Sequence, residues 1–296
     1  MARRDPPRRH LDELLTESMI GGYRILLVEG PSDLTHLGAW LSALGIRLAV
    51  VAIDSVEVTM PTGIDEWGNC DRLMHAAHGY PNTDVLRFLI DRDTRSDFAD
   101  EPYSLLITDF PGLESYALCE RVLTSTVLFA KRMNLTSEHP DDREREREQI
   151  VRDLVTSLSE YLGPLFAIRR LHREERSAIE FPADLRKFRK KLPEVGLDIE
   201  KVLTHLKLTT PPEGLQYVER TDSCDVLRPV AYGHDIARSI WSMWPDLRQK
   251  TGLKSSDELE DYILSVVIAD DVREYALFAQ LREWASQPMP AVVGPD

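Results

Sequence analysis

Three carboxylates in the first third of the chain have the types and spacing to hold a hard metal ion. Glu29 directly follows the apolar run Tyr23-Arg24-Ile25-Leu26-Leu27-Val28, and Asp91 and Asp93 directly follow Asp84-Val85-Leu86-Arg87-Phe88-Leu89-Ile90. If both runs are strands of one parallel sheet, their carboxyl ends lie at one edge, where ligand crevices form. Residues two apart in an extended segment point the same way, so Asp91 and Asp93 are expected to face Glu29 together. Magnesium binds through a few carboxylate oxygens and keeps water and phosphate oxygens in its octahedral shell. The chemistry expected of such a cluster is phosphoryl polarisation and activation of an attacking water.

The elements that must position these acids read as an α/β fold. After Glu29, Ser32 or Asp33 is placed to cap a helix whose stripe is Leu34, Leu37, Leu41 and Leu44, and Gly45 ends it. Ile46 to Ile53 is a second short β-branched run. A loop containing Gly63 and Gly68-Asn69 leads to a helix over Cys70 to Ala77, and Ser104 to Thr108 is a fourth strand ending at Asp109. Strands alternating with helices predict a mainly parallel sheet, Rossmann-like, with helices on both faces. From Leu113 to about Met133 a helix is expected, then a long solvent-exposed helix opening at Asp141 to Glu148 and reaching past Leu171. Pro182, Pro193, Pro211 and Pro212 punctuate the next stretch, and two or three further helices run from Asp235 to Trp284. The expected divisions are an arm and helix over 1–22, the α/β domain over 23–118, a mostly helical region over 119–287 and a loose tail over 288–296.

Composition limits the alternatives. The 296 residues are 43% hydrophobic, enough for a core, and 29% charged, with no apolar run approaching the roughly 20 residues of a membrane span. With no secretory signal pattern at the N-terminus, a cytoplasmic protein is expected. Cys70, Cys119 and Cys224 lie far apart and give no metal or redox pairing. A net charge of −14 argues against coating nucleic acid through charge alone. A local basic groove remains compatible with it, the candidates being the N-terminal arm and Arg186 to Lys191; the plainer reading of the latter is a solvated helix face.

Leu27 to Asp33 followed by Leu89 to Asp93 resembles the Toprim signature, a glutamate after the first strand and an Asp-x-Asp after a later one. The resemblance implies that Glu29, Asp91 and Asp93 are the catalytic and metal-binding acids of a Mg2+-dependent nuclease, with Mn2+ as an alternative ion. Thr108-Asp109 through Glu114 to Tyr116, and Gly233-His234-Asp235, are similar to motifs of an OLD-like Toprim family catalogued as a domain of unknown function. Its members are often encoded beside an ABC-type ATPase, and one is the nuclease effector of the PARIS anti-phage defence system. The resemblance thus implies a nucleic-acid substrate, RNA (tRNA included) or DNA, and an ATPase partner that restrains the nuclease. A homodimer through the helical half is also an expectation. The alternative is a Toprim-like scaffold that binds the ATPase without chemistry of its own.

Other residues carry two readings each. By the resemblance Glu114 serves a second metal; as a first-turn glutamate it needs only the helix dipole. Asp33 offers a hydrogen bond to groups around the metal, or a helix N-terminus. Asp109 offers a water-mediated metal contact, or a turn. Arg92 is expected to point away from the metal. His234 with Asp235 suggests a proton-shuttling pair, against a helix start capped by Asp235. His75 and His78 share a helical face without a third ligand, and Trp241, Trp244 and Trp284 are expected to pack the C-terminal helices. Where the family carries glycine-lysine, this chain has Gly68-Asn69, a departure at the position from which that lysine would contact phosphate.

Overall fold

Residues 8–61, 67–93, 98–131, 139–174, 220–231, 234–244 and 247–290 are described in a computed structural model of the chain. Two apolar runs organise the first part. Ile25–Val28 (β2) is buried at every residue, as is Leu86–Ile90 (β5), and the two pair in parallel. Strands apolar on both faces are what a sheet covered on both sides requires. Ala49–Ala52 (β3) pairs with β2, and Leu105–Ile107 (β6) with β5, giving a four-stranded parallel sheet in the order β3-β2-β5-β6. Arg9–His10 (β1) and Val56–Glu57 (β4) form a separate short parallel pair.

Local chemistry sets the boundaries. β3 is shorter than the apolar run Ile46 to Ile53 because both ends of the run are used elsewhere. The Ile46 N–H closes the preceding helix on the Leu41 carbonyl at 2.9 Å, and Ile53 opens a 3-10 turn, Ile53–Ser55. That helix, Pro31–Ala43 (α2), ends through Gly45 at φ 72°, a left-handed position that favours glycine. Its cap is neither Ser32 nor an Asp33 N-cap. Gly30 is the capping residue, Pro31 begins the helix, and Asp33 reaches back so that Oδ2 accepts the Gly30 N–H at 3.0 Å. Asn69–Gly79 (α3) starts the same way, with Asp71 accepting the Gly68 N–H at 3.3 Å. The buried face of α2 is Leu37, Trp40 and Leu41, whereas Leu34 in the first turn stays 39% exposed.

The chain divides into two compact units, one comprising Met1–Arg92, Ser96–Asp109 and Ile268–Asp296, the other Asp93–Arg95 and Phe110–Val267. The first holds Leu11–Gly21 (α1), α2, α3 and the sheet, and its core gathers Leu14, Ile25, Leu27, Ile53, Leu73, Phe88 and Ile90. The C-terminal segment belongs to this unit. Trp284, expected among the C-terminal helices, is 1% exposed and donates its Nε1–H to the Asp84 carbonyl at 2.9 Å. The expected loose tail begins in contact, since Pro288 accepts a hydrogen bond from Arg24 and Met289 packs on the first unit's core.

The second unit is helical among its described residues. The helix expected from Leu113 to Met133 is interrupted: a 3-10 turn, Leu113–Ala117, is followed by Glu120–Lys131 (α4). The break has a cause in Leu118, whose carbonyl accepts Arg228 Nε and Nη2 at 3.2 and 2.6 Å. Pro140–Glu174 (α5) has the expected length, and its opening is exposed, with ion pairs such as Arg147–Glu144. From Val151 onward it is not solvated all round, because Val151, Leu154, Val155, Leu158 and Leu162 form a buried stripe at helical spacing. Cys224–Leu227 (α6), Asp235–Met243 (α7), Leu247–Thr251 (α8) and Ser256–Val266 (α9) complete this unit. Ala269–Val272 (α10) and Ala276–Ser286 (α11) return to the first unit, so five helices rather than two or three follow Asp235 among the described residues. The Arg186 to Lys191 stretch, the four prolines from 182 to 212, Gly63, Tyr232 and Gly233 lie outside the described residues. Among those residues no helix is long and apolar enough to cross a membrane.

Candidate metal centre

Strand order decides which acids meet. Taken in chain order, the four strands of the sheet lie 2-1-3-4, so the order reverses between β2 and β5. Ligands of open α/β sheets bind beyond the strand carboxyl ends at such a reversal. Glu29 follows β2 there and Asp91 follows β5. They are in direct contact: Glu29 Oε1 accepts the Asp91 N–H at 3.1 Å. Both residues are half-buried.

The glutamate is also held from behind. Asn69, the first residue of α3, donates from Nδ2 to the Glu29 carbonyl at 2.7 Å, and its Oδ1 accepts Arg72 Nη1 at 3.3 Å. Arg72 Nη2 donates to the carbonyls of Ile53 and Val56 at 3.1 and 2.7 Å, and Nη1 lies 3.7 Å from Asp54. Burial lowers the Arg72 pKa, Arg8 lowers it further and Asp54 opposes both. Asn69 therefore joins the start of α3 to the backbone of Glu29, a role the sequence comparison with a lysine position did not suggest.

Thr108 closes the neighbouring strand end. It is fully buried, its N–H donates to the Ile90 carbonyl at 3.1 Å, and its Oγ1 accepts the Arg92 N–H at 2.9 Å. Arg92 turns its side chain to the Thr108 carbonyl at 3.0 Å and to the Phe98 ring, 5.4 Å from its centroid.

The remaining predicted acids make contacts of their own. Asp33 caps α2 through Gly30, and Asp109 Oδ2 accepts the Leu277 N–H at 3.2 Å, near the start of α11. Asp93 belongs to the second unit, where its N–H donates to the Pro111 carbonyl at 3.0 Å. Its φ is 53°, so the chain has turned into the left-handed region, and the side-chain alternation of an extended strand does not apply to it. Within the first unit no third histidine, cysteine or carboxylate among the described residues joins Glu29 and Asp91 as a close ligand set. Two carboxylates nevertheless fit magnesium, which characteristically takes one or two from protein and completes its shell with water and phosphate oxygens.

Glu114 stands in the second unit with two other residues. One ligand atom each from Glu114, His234 and Glu260 lies within 4.8 Å of the others. His234 Nδ1 is 2.7 Å from both carboxylate oxygens of Glu260. This bond raises the His234 pKa; burial opposes it, and the charges of Glu260 and Glu114 add to it. His234 rather than Asp235 stands at the cap position of α7, and Asp235 is its buried first residue. Sequence reading missed Glu260 because Asp257-Glu258-Leu259-Glu260-Asp261 looks like a solvated acidic face. The available signal was phase, since Glu260 lies three and four residues before the buried Ile263 and Leu264. His78 Nδ1 is engaged with the Met74 carbonyl at 2.9 Å.

No protein-family profile matches the chain, and no curated protein matches it significantly.

Proposed function

We propose that the chain is a metal-dependent nuclease of the Toprim type, with Mg2+ held by Glu29 and Asp91 and Mn2+ able to replace it. The observation that carries this reading is the contact between Glu29 Oε1 and the Asp91 N–H at the strand-order reversal. It fixes one carboxylate against the backbone that bears the next, and one or two carboxylates are what magnesium takes from protein. Asn69 holds the Glu29 backbone, and Thr108 fixes the turn that presents Asp91. When bound, the ion supplies polarisation of a phosphoryl oxygen and a lowered pKa for the attacking water. The chain's own part is to aim two carboxylates into the crevice without a large rearrangement of backbone.

On this reading the substrate is RNA, tRNA included, or DNA. The protein acts in the cytoplasm as the toxic effector of an anti-phage system, restrained by an ABC-type ATPase, and a homodimer is the proposed assembly. These assignments rest on the motif resemblance.

The test is purified protein with Mg2+ or Mn2+ on tRNA, single-stranded DNA and duplex DNA, with and without the ATPase. Glu29→Gln and Asp91→Ala should abolish cleavage while leaving the melting temperature near wild type, and Asp93→Asn tests whether the third acid of the motif takes part. Toxicity on expression without the ATPase should disappear in Asp91→Ala. Cleavage unaltered by Glu29→Gln would overturn the site, and no cleavage of any substrate, even with the ATPase, would favour a scaffold.

A further inference from the structure

The helical unit carries a ligand set of a different character from the acids at the sheet edge. Glu114, His234 and Glu260 come from three elements: the 3-10 turn, the start of α7 and the middle of α9. Their positions are fixed by core packing on each element. Leu113 and Tyr116 flank Glu114, Ile236 and Ala237 follow His234, and Leu259 and Ile263 lie beside Glu260, all of them buried. The three ligand atoms sit within 4.8 Å of one another.

Exposure within the set is graded. The Glu260 side chain is 9% exposed and the His234 side chain 56%, so the set has a buried wall and a face open to solvent. A buried carboxylate is unfavourable unless a hydrogen-bond donor or cation meets it. His234 meets Glu260 through Nδ1, with the Glu114 charge favouring the protonated imidazole and Arg238 opposing it. A dication meets both carboxylates and the imidazole nitrogen together.

The geometry points to a binding site for a first-row transition dication of the zinc class, held by Glu114, His234 and Glu260. The imidazole sets the choice of ion. Magnesium prefers oxygen ligands throughout, whereas zinc and its neighbours take imidazole and carboxylate together. Three protein ligands with a solvent-facing position match the ligand count of zinc sites that keep a place for water or substrate. The set uses neither Glu29 nor Asp91, and it gives Glu114 an ion of the zinc class where the resemblance implies a second nuclease metal.

The experiment uses the full chain, stripped of metal with a chelator that is then removed. Zn2+ binding is measured by calorimetry, and Co2+, a spectroscopic substitute, by its visible absorption. Wild type should bind Zn2+ in the presence of excess Mg2+, and Zn2+ should raise its melting temperature. Glu114→Gln, at a position that is not deeply buried, should melt like the metal-free wild type, whereas His234→Gln also removes the partner of the buried Glu260 carboxylate and should melt below it. Each should weaken Zn2+ binding by about tenfold or more, since loss of a direct ligand costs at least as much as loss of its supporting hydrogen bond. Glu29→Gln should leave the Co2+ spectrum unchanged, which separates this site from the sheet-edge acids. Absence of Zn2+ binding in wild type would overturn the inference. So would a Co2+ spectrum indifferent to His234→Gln, or one lost in Glu29→Gln and kept in His234→Gln.

Discussion

Replacing Arg24 by methionine tests how the C-terminal segment is tied to the sheet that carries Glu29. Arg24 immediately precedes β2 and is 4% exposed. It donates from Nε to Asp84 O at 3.2 Å, from Nη1 to Gln287 O at 2.8 Å and from Nη2 to Pro288 O at 2.9 Å. Its guanidinium lies 5.9 Å from the centroid of the Trp284 ring. Methionine keeps the apolar stem and removes every donor. The Asp84 carbonyl retains Trp284 Nε1, so the loss falls on Gln287 and Pro288. Two hydrogen bonds from a charged donor give a gross loss of about 3 to 6 kcal/mol. Part is recovered, because burial has already lowered the Arg24 pKa and methionine carries no charge to desolvate. A net destabilisation of ~2 to 3 kcal/mol results, or roughly 5 to 10 °C in melting temperature. Calorimetry gives the magnitude, and hydrogen exchange of the amides in α11 gives the location, which should lose protection before β2 does. A variant within about 0.5 kcal/mol of wild type, the range of an unremarkable surface change, with α11 still protected, would refute the tether.

Three further outcomes are expected. Asp109→Ala should cost ~1 kcal/mol by removing the acceptor of the Leu277 N–H, while Asp109→Asn keeps most of it; denaturant unfolding checks this, and a fall in Mg2+ affinity without loss of stability would instead assign Asp109 to the metal. The Tyr80 pKa is pushed up to about 12, first by burial and then by its hydrogen bond to Asp12. A phenol whose folded pKa is raised contributes stability that is complete below its ordinary value of 10.0 and fades as pH rises toward about 12, so unfolding curves of wild type and Tyr80→Phe should converge across that window. Burial pushes the Cys224 thiol up to about 11 against the opposing effect of Arg228, and alkylation followed by mass spectrometry should find it slow at mildly alkaline pH.

The strands were legible because a buried parallel strand must be apolar on both faces, and Leu26-Leu27-Val28 and Phe88-Leu89-Ile90 are short uninterrupted runs of that kind. The pairing of Glu29 with Asp91 followed from strand ends alone. What failed depended on contacts distant in sequence. Nothing near Leu118 shows that Arg228 will take its carbonyl and break a helix that local propensity would continue. Trp284 could not be assigned to the sheet unit while its partners Asp84 and Arg24 lay 200 or more residues away. For Asp93 the alternation argument lapses for a local reason: the strand ends with β5, before a residue at φ 53°. Glu260 was lost in an acidic run whose apolar phase was the informative part.

The Asn69 position has a consequence for how the proposed nuclease would meet a polyanion. A lysine there would bring positive charge to a phosphate, but the amide is neutral and its Nδ2 is engaged by the Glu29 carbonyl. Arg72, the cation nearest in this chain of hydrogen bonds, is directed at the carbonyls of Ile53 and Val56 and at Asp54. The sheet edge itself presents carboxylates, in a chain of net charge −14. Neither Asn69 nor Arg72 therefore supplies counterion release at this edge. Under the proposed reading, binding and chemistry fall to the same agent, because the dication that activates water must also neutralise the phosphate against Glu29 and Asp91. Substrate affinity at this edge should then follow the occupancy of the metal site, not the basicity of the groups around it.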